Sequence, residues 1–210
     1  MRKFFNLDSP FMIFLSDLTD VVILNVVCLL CCIPIITIGP SITAMHYVTL
    51  KMVKEEEGYI LKNFFKSFKE NFRQSLIAWL IFVFVTLVFI IDFRILQNMG
   101  ISRYKILAIS IAAIYFFVCI TMMYVFPLLS RFTNSLGQTM KNGLFMSILH
   151  IFKTIFMMII YLIPFFLLFV HVGMIPVFLL VGLAGPAYLN SFVWKSIFKR
   201  YELENEVEKM

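Results

Sequence analysis

The sequence predicts an all-α fold: a polytopic transmembrane helix bundle of about five spans, with amphipathic interfacial elbow helices and with spans broken at Gly-Pro and Pro. Three observations carry that expectation. The 210 residues are 61% hydrophobic and only 14% charged, whereas soluble domains hold about 25% charged residues. Four long runs contain no Asp, Glu, Lys or Arg: residues 21–38, 76–91, 106–130 and 154–194. These runs lack the alternation of a barrel strand, and a backbone in hydrocarbon must satisfy its own polar groups, so they are read as helices. A single membrane domain over residues 1–210 is expected.

The elements follow in chain order. Ser9-Pro10 is a helix start, a hydroxyl at the cap and a proline at the first helical position. Asp8, Asp17 and Asp20 interrupt the N-terminal apolar stretch and no small-residue cleavage site follows it, so the first segment is read as retained. The first span is placed at residues 20–40, crossing Pro34 and the pair Gly39-Pro40. Residues 51–75 then change texture. Charges recur every few residues and Phe64, Phe65, Phe68 and Phe72 fall at helical spacing, the pattern of an interfacial elbow.

The second span is placed at 76–97 and the third, with Pro127 inside it, at 106–130; a second elbow covers 131–150. Residues 154–194 would make a straight helix of ~60 Å, twice the hydrocarbon thickness, so they must cross twice. The stretch HVGMIP supplies the turn between spans at 153–171 and 175–195, the latter carrying Gly185-Pro186, and residues 196–210 form a tail. With five crossings and the N-terminus outside, thirteen of the 18 Lys and Arg residues fall on the cytoplasmic side, the bias that positive-inside topology requires. A hairpin over residues 11–50 would instead give six crossings and move the N-terminus inside.

Candidate site residues are polar groups inside or beside these spans, where a charge costs ~2.5–3.5 kcal/mol on insertion scales. Asp17, Asp20 and Asn25 share one side of the first helix and form a candidate ligand-binding stripe for a cation, a proton or sugar hydroxyls. The competing reading puts both aspartates at the outer headgroup boundary. Asp92 and Arg94 close the second span, as a candidate ligand pair or as its boundary. Pro34, Gly39, Pro40, Pro127, Gly185 and Pro186 are expected to break helices and let neighbouring backbones approach. Glu55, Glu56 and Glu57 with Lys66 and Lys69 are a candidate docking surface for a partner, against the plain reading of a solvated charge run.

Cys28, Cys31 and Cys32 share a helical face without further ligands nearby, and are read as small apolar filler rather than a metal site. His46, His150 and His171 are scattered and are read as packing or interface residues. No metalloprotease, nucleophile-elbow or phosphate-loop motif is present, so no catalytic residue, metal or cofactor is assigned and the chain is read as no enzyme. The charge of +6 flanks the spans and is explained by topology, not by nucleic acid.

Residues 24–75 resemble the YesL family of bacterial multi-pass membrane proteins, built on a domain of unknown function. The resemblance rests on Leu24-Asn25, Pro34, Thr37-Ile38-Gly39-Pro40, Thr43-Ala44, Tyr47, Glu56-Glu57-Gly58-Tyr59 and Phe64-Phe65-Lys66-Ser67-Phe68. It implies a bacterial plasma-membrane protein associated with carbohydrate uptake, and it brings no catalytic residue with it. The expected function is an accessory or regulatory membrane component of solute uptake, with the lipid bilayer, a carbohydrate transporter subunit and a second copy of the chain as candidate partners. A small-solute carrier with a midplane polar site and an intramembrane enzyme are the alternatives.

Overall fold

A computed structural model describes residues 10–56, 58–100 and 104–207. Eight α-helices and no strand occur among the described residues. They are α1 (Pro10–Cys32), α2 (Ile38–Val53), α3 (Ile60–Met99), α4 (Lys105–Arg131), α5 (Leu136–Leu149), α6 (Ile151–Val170), α7 (Ile175–Val181) and α8 (Ala184–Val207). Helix α1 begins at Pro10 as expected, while Ser9 lies outside the described residues. Residues 14–32 of α1, together with α3, α4 and α6, are long and apolar enough to cross a membrane. Helix α7 with residues 184–199 of α8, bent by 44°, makes a fifth candidate.

The surface fits that solvent. Phe169 is 90% exposed, Phe152 85% and Ile106 83%, among dozens of outward Leu, Ile and Phe side chains. A water-soluble monomer does not carry an apolar surface this continuous.

The first span departs from expectation. It does not run from residue 20 to residue 40. Helix α1 ends at Cys32, a short 3-10 turn covers Ile35–Thr37, and α2 returns. Two bonds fix the reversal. The Thr37 hydroxyl donates to Cys31 O at 2.6 Å, and one turn deeper the Cys28 thiol reaches Ser41 O at 3.8 Å. The numbers rise along α2 as they fall along α1, so the two helices are antiparallel.

Opening the backbone inside an apolar environment leaves carbonyls without partners. Here side chains take them. Thr37 also reaches Pro34 O, and the Trp79 indole donates to Ile35 O at 2.8 Å from α3.

At 16 residues, α2 spans only ~24 Å, short of the ~30 Å hydrocarbon layer. It is nonetheless the hub of the fold, packing against α1, α3, α4 and α8. Its buried polar residues each find a neighbour. Ser75 of α3 bonds Thr43 at 2.8 Å, Ser191 of α8 bonds Thr49 at 2.8 Å, and Tyr161 of α6 meets His46 at 3.3 Å.

These contacts also give direction. Lys195 donates to Val53 O while Ser191 meets Thr49, so α2 and α8 run parallel. Asn190 bonds Met157 O and Lys153 bonds Ser196, so α6 runs against α8. Trp79 with Ile35 and Ser75 with Thr43 set α3 against α2. The start of α1, the α2–α3 connection and the end of α8 therefore share one end of the bundle. The expectation of opposite ends fails, because Pro34 and the first Gly-Pro pair belong to a turn rather than to a kink within one span.

Both Gly-Pro pairs occupy the same structural position. Gly39-Pro40 lies in the first turn of α2, and Gly185-Pro186 in the first turn of α8. Proline is harmless there, since first-turn N–H groups have no partner inside the helix. This differs from the expected mid-helix break. Pro40→Ala and Pro186→Ala are each expected to shift stability by less than about 1 kcal/mol, far below the ~3 kcal/mol of a proline placed mid-helix. Chemical or thermal unfolding in detergent measures the difference.

Pro127 and Pro164 do lie inside helices, α4 and α6. The expected elbow at 51–75 is not a separate element either. Its first residues end α2, and the rest continue into the span as one 40-residue helix, α3. The second elbow is distinct: α5 packs back on α4, where Gly143 closes on Thr121 O, and a break at His150 separates it from α6.

Candidate functional site

The junction of α7 and α8 is built around one side chain. Asn25 of α1 is fully buried. Its amide donates to Leu179 O at 2.8 Å and Phe178 O at 3.3 Å. Its carbonyl oxygen accepts from Leu183 N at 2.8 Å and Ala184 N at 2.9 Å. Where the chain bends between α7 and α8, Leu179 O, Leu183 N and Ala184 N lose their helical partners, whereas Phe178 O keeps its bond from Gly182 N at 2.8 Å. Asn25 replaces the lost partners on both sides of the bend. A side chain with two donors and a two-lone-pair acceptor suits this task and is fully used by it.

Beside this junction a groove of about 440 Å³ opens between α1, α6, α7 and α8. Its walls are apolar: Phe14, Leu18, Ile163, Leu167, Val177 and Leu189 are among them, and Pro164, Gly185 and Pro186 also contribute. Among the described residues Asp17 is the one acidic side chain lining it, and the Tyr188 hydroxyl donates to Asp17 Oδ2 at 3.1 Å. The gap between the phenol and the carboxylate is closed by the antiparallel register of α1 and α8. Asp17 lies one turn inside the candidate span that starts at Phe14.

The predicted stripe is therefore divided. Asp17 faces the groove, Asp20 is half-buried one turn further along α1, and Asn25 is committed to the α7–α8 bend. Asp92 is half-buried and Arg94 exposed on α3, which continues past both to Met99. Neither lines the groove.

In the α2–α3 connection Glu55 adopts a positive φ of 58°. Glu56 lies 3.8 Å from Lys51 and 3.9 Å from Arg131. Contacts that long between partly exposed groups contribute little, ~0–1 kcal/mol. Lys66 and Lys69 are exposed on the first part of α3, and Glu57 lies outside the described residues.

Several contributors escaped the sequence reading. Tyr188 is one, and its signal is a phenol two residues after Gly185-Pro186, in the first turns of α8. Thr37 and Trp79, which close the α1–α2 turn, are others. A threonine between Pro34 and Pro40 is a turn signal in retrospect, but nothing local marks Trp79 as its partner.

The fold and these interior contacts define a class: a multi-pass helical membrane protein whose central short helix is enclosed by longer apolar ones. Within that class, residues 21–93 match the family model described as "Protein of unknown function, DUF624". The match is consistent with the resemblance carried by residues 24–75 and covers α2, most of α1 and most of α3, which form the hairpin and its principal neighbour. No curated protein matches the chain, and no solved structure does.

Proposed function

We propose that this protein is a non-enzymatic accessory or regulatory component of a bacterial plasma membrane, tied to solute uptake and in particular to carbohydrate uptake. One observation carries the non-enzymatic part. The polar side chains at the helix breaks, Asn25, Thr37 and Trp79, bond to the backbone of the bundle itself. Their chemistry is spent on architecture, which leaves function to the outer surfaces. The carbohydrate link rests on the family resemblance.

The docking surface in this reading is the end that holds the α2–α3 connection, with Glu55, Glu56, Lys66 and Lys69. The distribution of basic residues supports a cytoplasmic location for that end. Lys51, Lys54, Lys62, Lys66, Lys69, Arg73, Arg131, Lys195 and Lys199 gather there, while Arg94 and Lys105 sit at the far ends of α3 and α4. The start of α1 and the end of α8 then face the cytoplasm together.

Purification in mild detergent tests the reading. A permease subunit identified by mass spectrometry in the purified complex, together with an uptake defect on deletion, is the expected result. A chain that purifies alone, from cells whose sugar uptake is unchanged by its deletion, contradicts it.

A carrier remains the second reading because Asp17 faces a groove. Proteoliposome flux that is unaltered by Asp17→Asn and Asp20→Asn removes both residues from any such mechanism.

A further inference from the structure

We propose that the groove between α1, α6, α7 and α8 is a lipid site selective for a phospholipid whose headgroup ends in an ammonium. The groove is apolar along its length and its rim is open: Phe14 is 62% exposed and Leu189 55%. In a bilayer such a surface is covered by acyl chains, which gives the occupant its tail. The headgroup preference comes from Asp17. Its carboxylate lines the groove, held at one oxygen by the Tyr188 hydroxyl. Among the described residues the Tyr188 bond is the one side-chain hydrogen bond to this carboxylate, and it engages one of the two oxygens. Asp20, one turn along the same helix, adds a second negative charge beside the first.

Among the described residues no ion pair neutralises either carboxylate. A headgroup ammonium completes the arrangement with a charge-assisted hydrogen bond. An anionic glycerol headgroup would meet two like charges instead.

The preference runs against the charge of the whole chain, which is +6 and on its own draws anionic lipid. That opposition makes the test decisive. The full chain is stripped of lipid in mild detergent and offered equal amounts of ethanolamine-headed and glycerol-headed phospholipids with identical acyl chains. Native mass spectrometry then reads which lipid is retained first.

The ethanolamine lipid is expected to be favoured about fivefold, the scale of one partly exposed charge contact. Asp17→Asn keeps the shape and an acceptor for Tyr188, and should bring the ratio to one or below. Val177→Trp fills the groove from α7 and should reduce retention of the first lipid of either kind. Equal retention by the unaltered chain, a preference that survives Asp17→Asn, or full retention in Val177→Trp would each overturn the assignment.

Discussion

Replacing Asn25 with leucine is expected to destabilise the bundle by about 3–4 kcal/mol, the largest effect of any single polar substitution in it. The reason lies in the backbone it serves. At the bend, Leu179 O, Leu183 N–H and Ala184 N–H bond to Asn25 rather than to their own helices. Leucine matches the volume closely but leaves these groups unpaired, each at roughly 1–3 kcal/mol. Interhelical hydrogen bonds in membranes average only ~0.6 kcal/mol, because an opened bundle finds other partners. Orphaned backbone at a fixed bend has fewer such options, so the estimate stays near the sum of the lower values. Unfolding in a denaturing detergent measures it. A loss below about 1 kcal/mol would mean that α7 and α8 close into one helix without Asn25, and that its role is not architectural.

Gly39→Val is expected to cost about 3 kcal/mol, the upper end of what overpacking costs, and to part α2 from α3. A Cβ at this position would come 2.5 Å from Ser75 O and 2.6 Å from Trp79 Cβ. One of these is backbone, so a rotamer change cannot relieve the clash. Separating the helices also strains the Ser75–Thr43 and Trp79–Ile35 bonds on either side. The second of those closes the α1–α2 turn, so damage spreads to the hairpin.

Gly137 is the control. A Cβ there meets nothing within 4 Å, and Gly137→Ala is expected to be neutral or slightly stabilising, since alanine is the better helix former. The two variants compared in one melting experiment separate a packing requirement from a general intolerance of glycine replacement.

How much of this was legible beforehand depends on sequence distance. The membrane class was readable from composition, and the later spans from their charge-free runs, because each depends on neighbours along the chain. The doubling within residues 154–194 was readable from length alone, and α6 with α7–α8 follows it. The α1–α2 hairpin is compatible with the sequence as the six-crossing alternative, but nothing local selects it. Its decisive contact, Trp79 to Ile35, is 44 residues apart, and no local rule distinguishes a kinked span from a turn that a distant indole completes. From the sequence alone Asn25 reads as a ligand residue, for the same reason. A polar group in an apolar helix signals that something needs it, and only the fold shows that the need comes from a bend more than 150 residues away. Asp17 and Tyr188, 171 residues apart, are likewise brought together only by the register of α1 against α8.

The hairpin is the claim on which the orientation, the placement of the docking surface and the direction of every helix depend. Reporter tags fused ahead of α1 and behind α8, read for their side of the membrane in intact cells, test it most directly. Both tags should report from the cytoplasm, with a third, inserted between α3 and α4, reporting from outside. Tags on the two ends that report from opposite faces would contradict the hairpin and restore a single continuous first span.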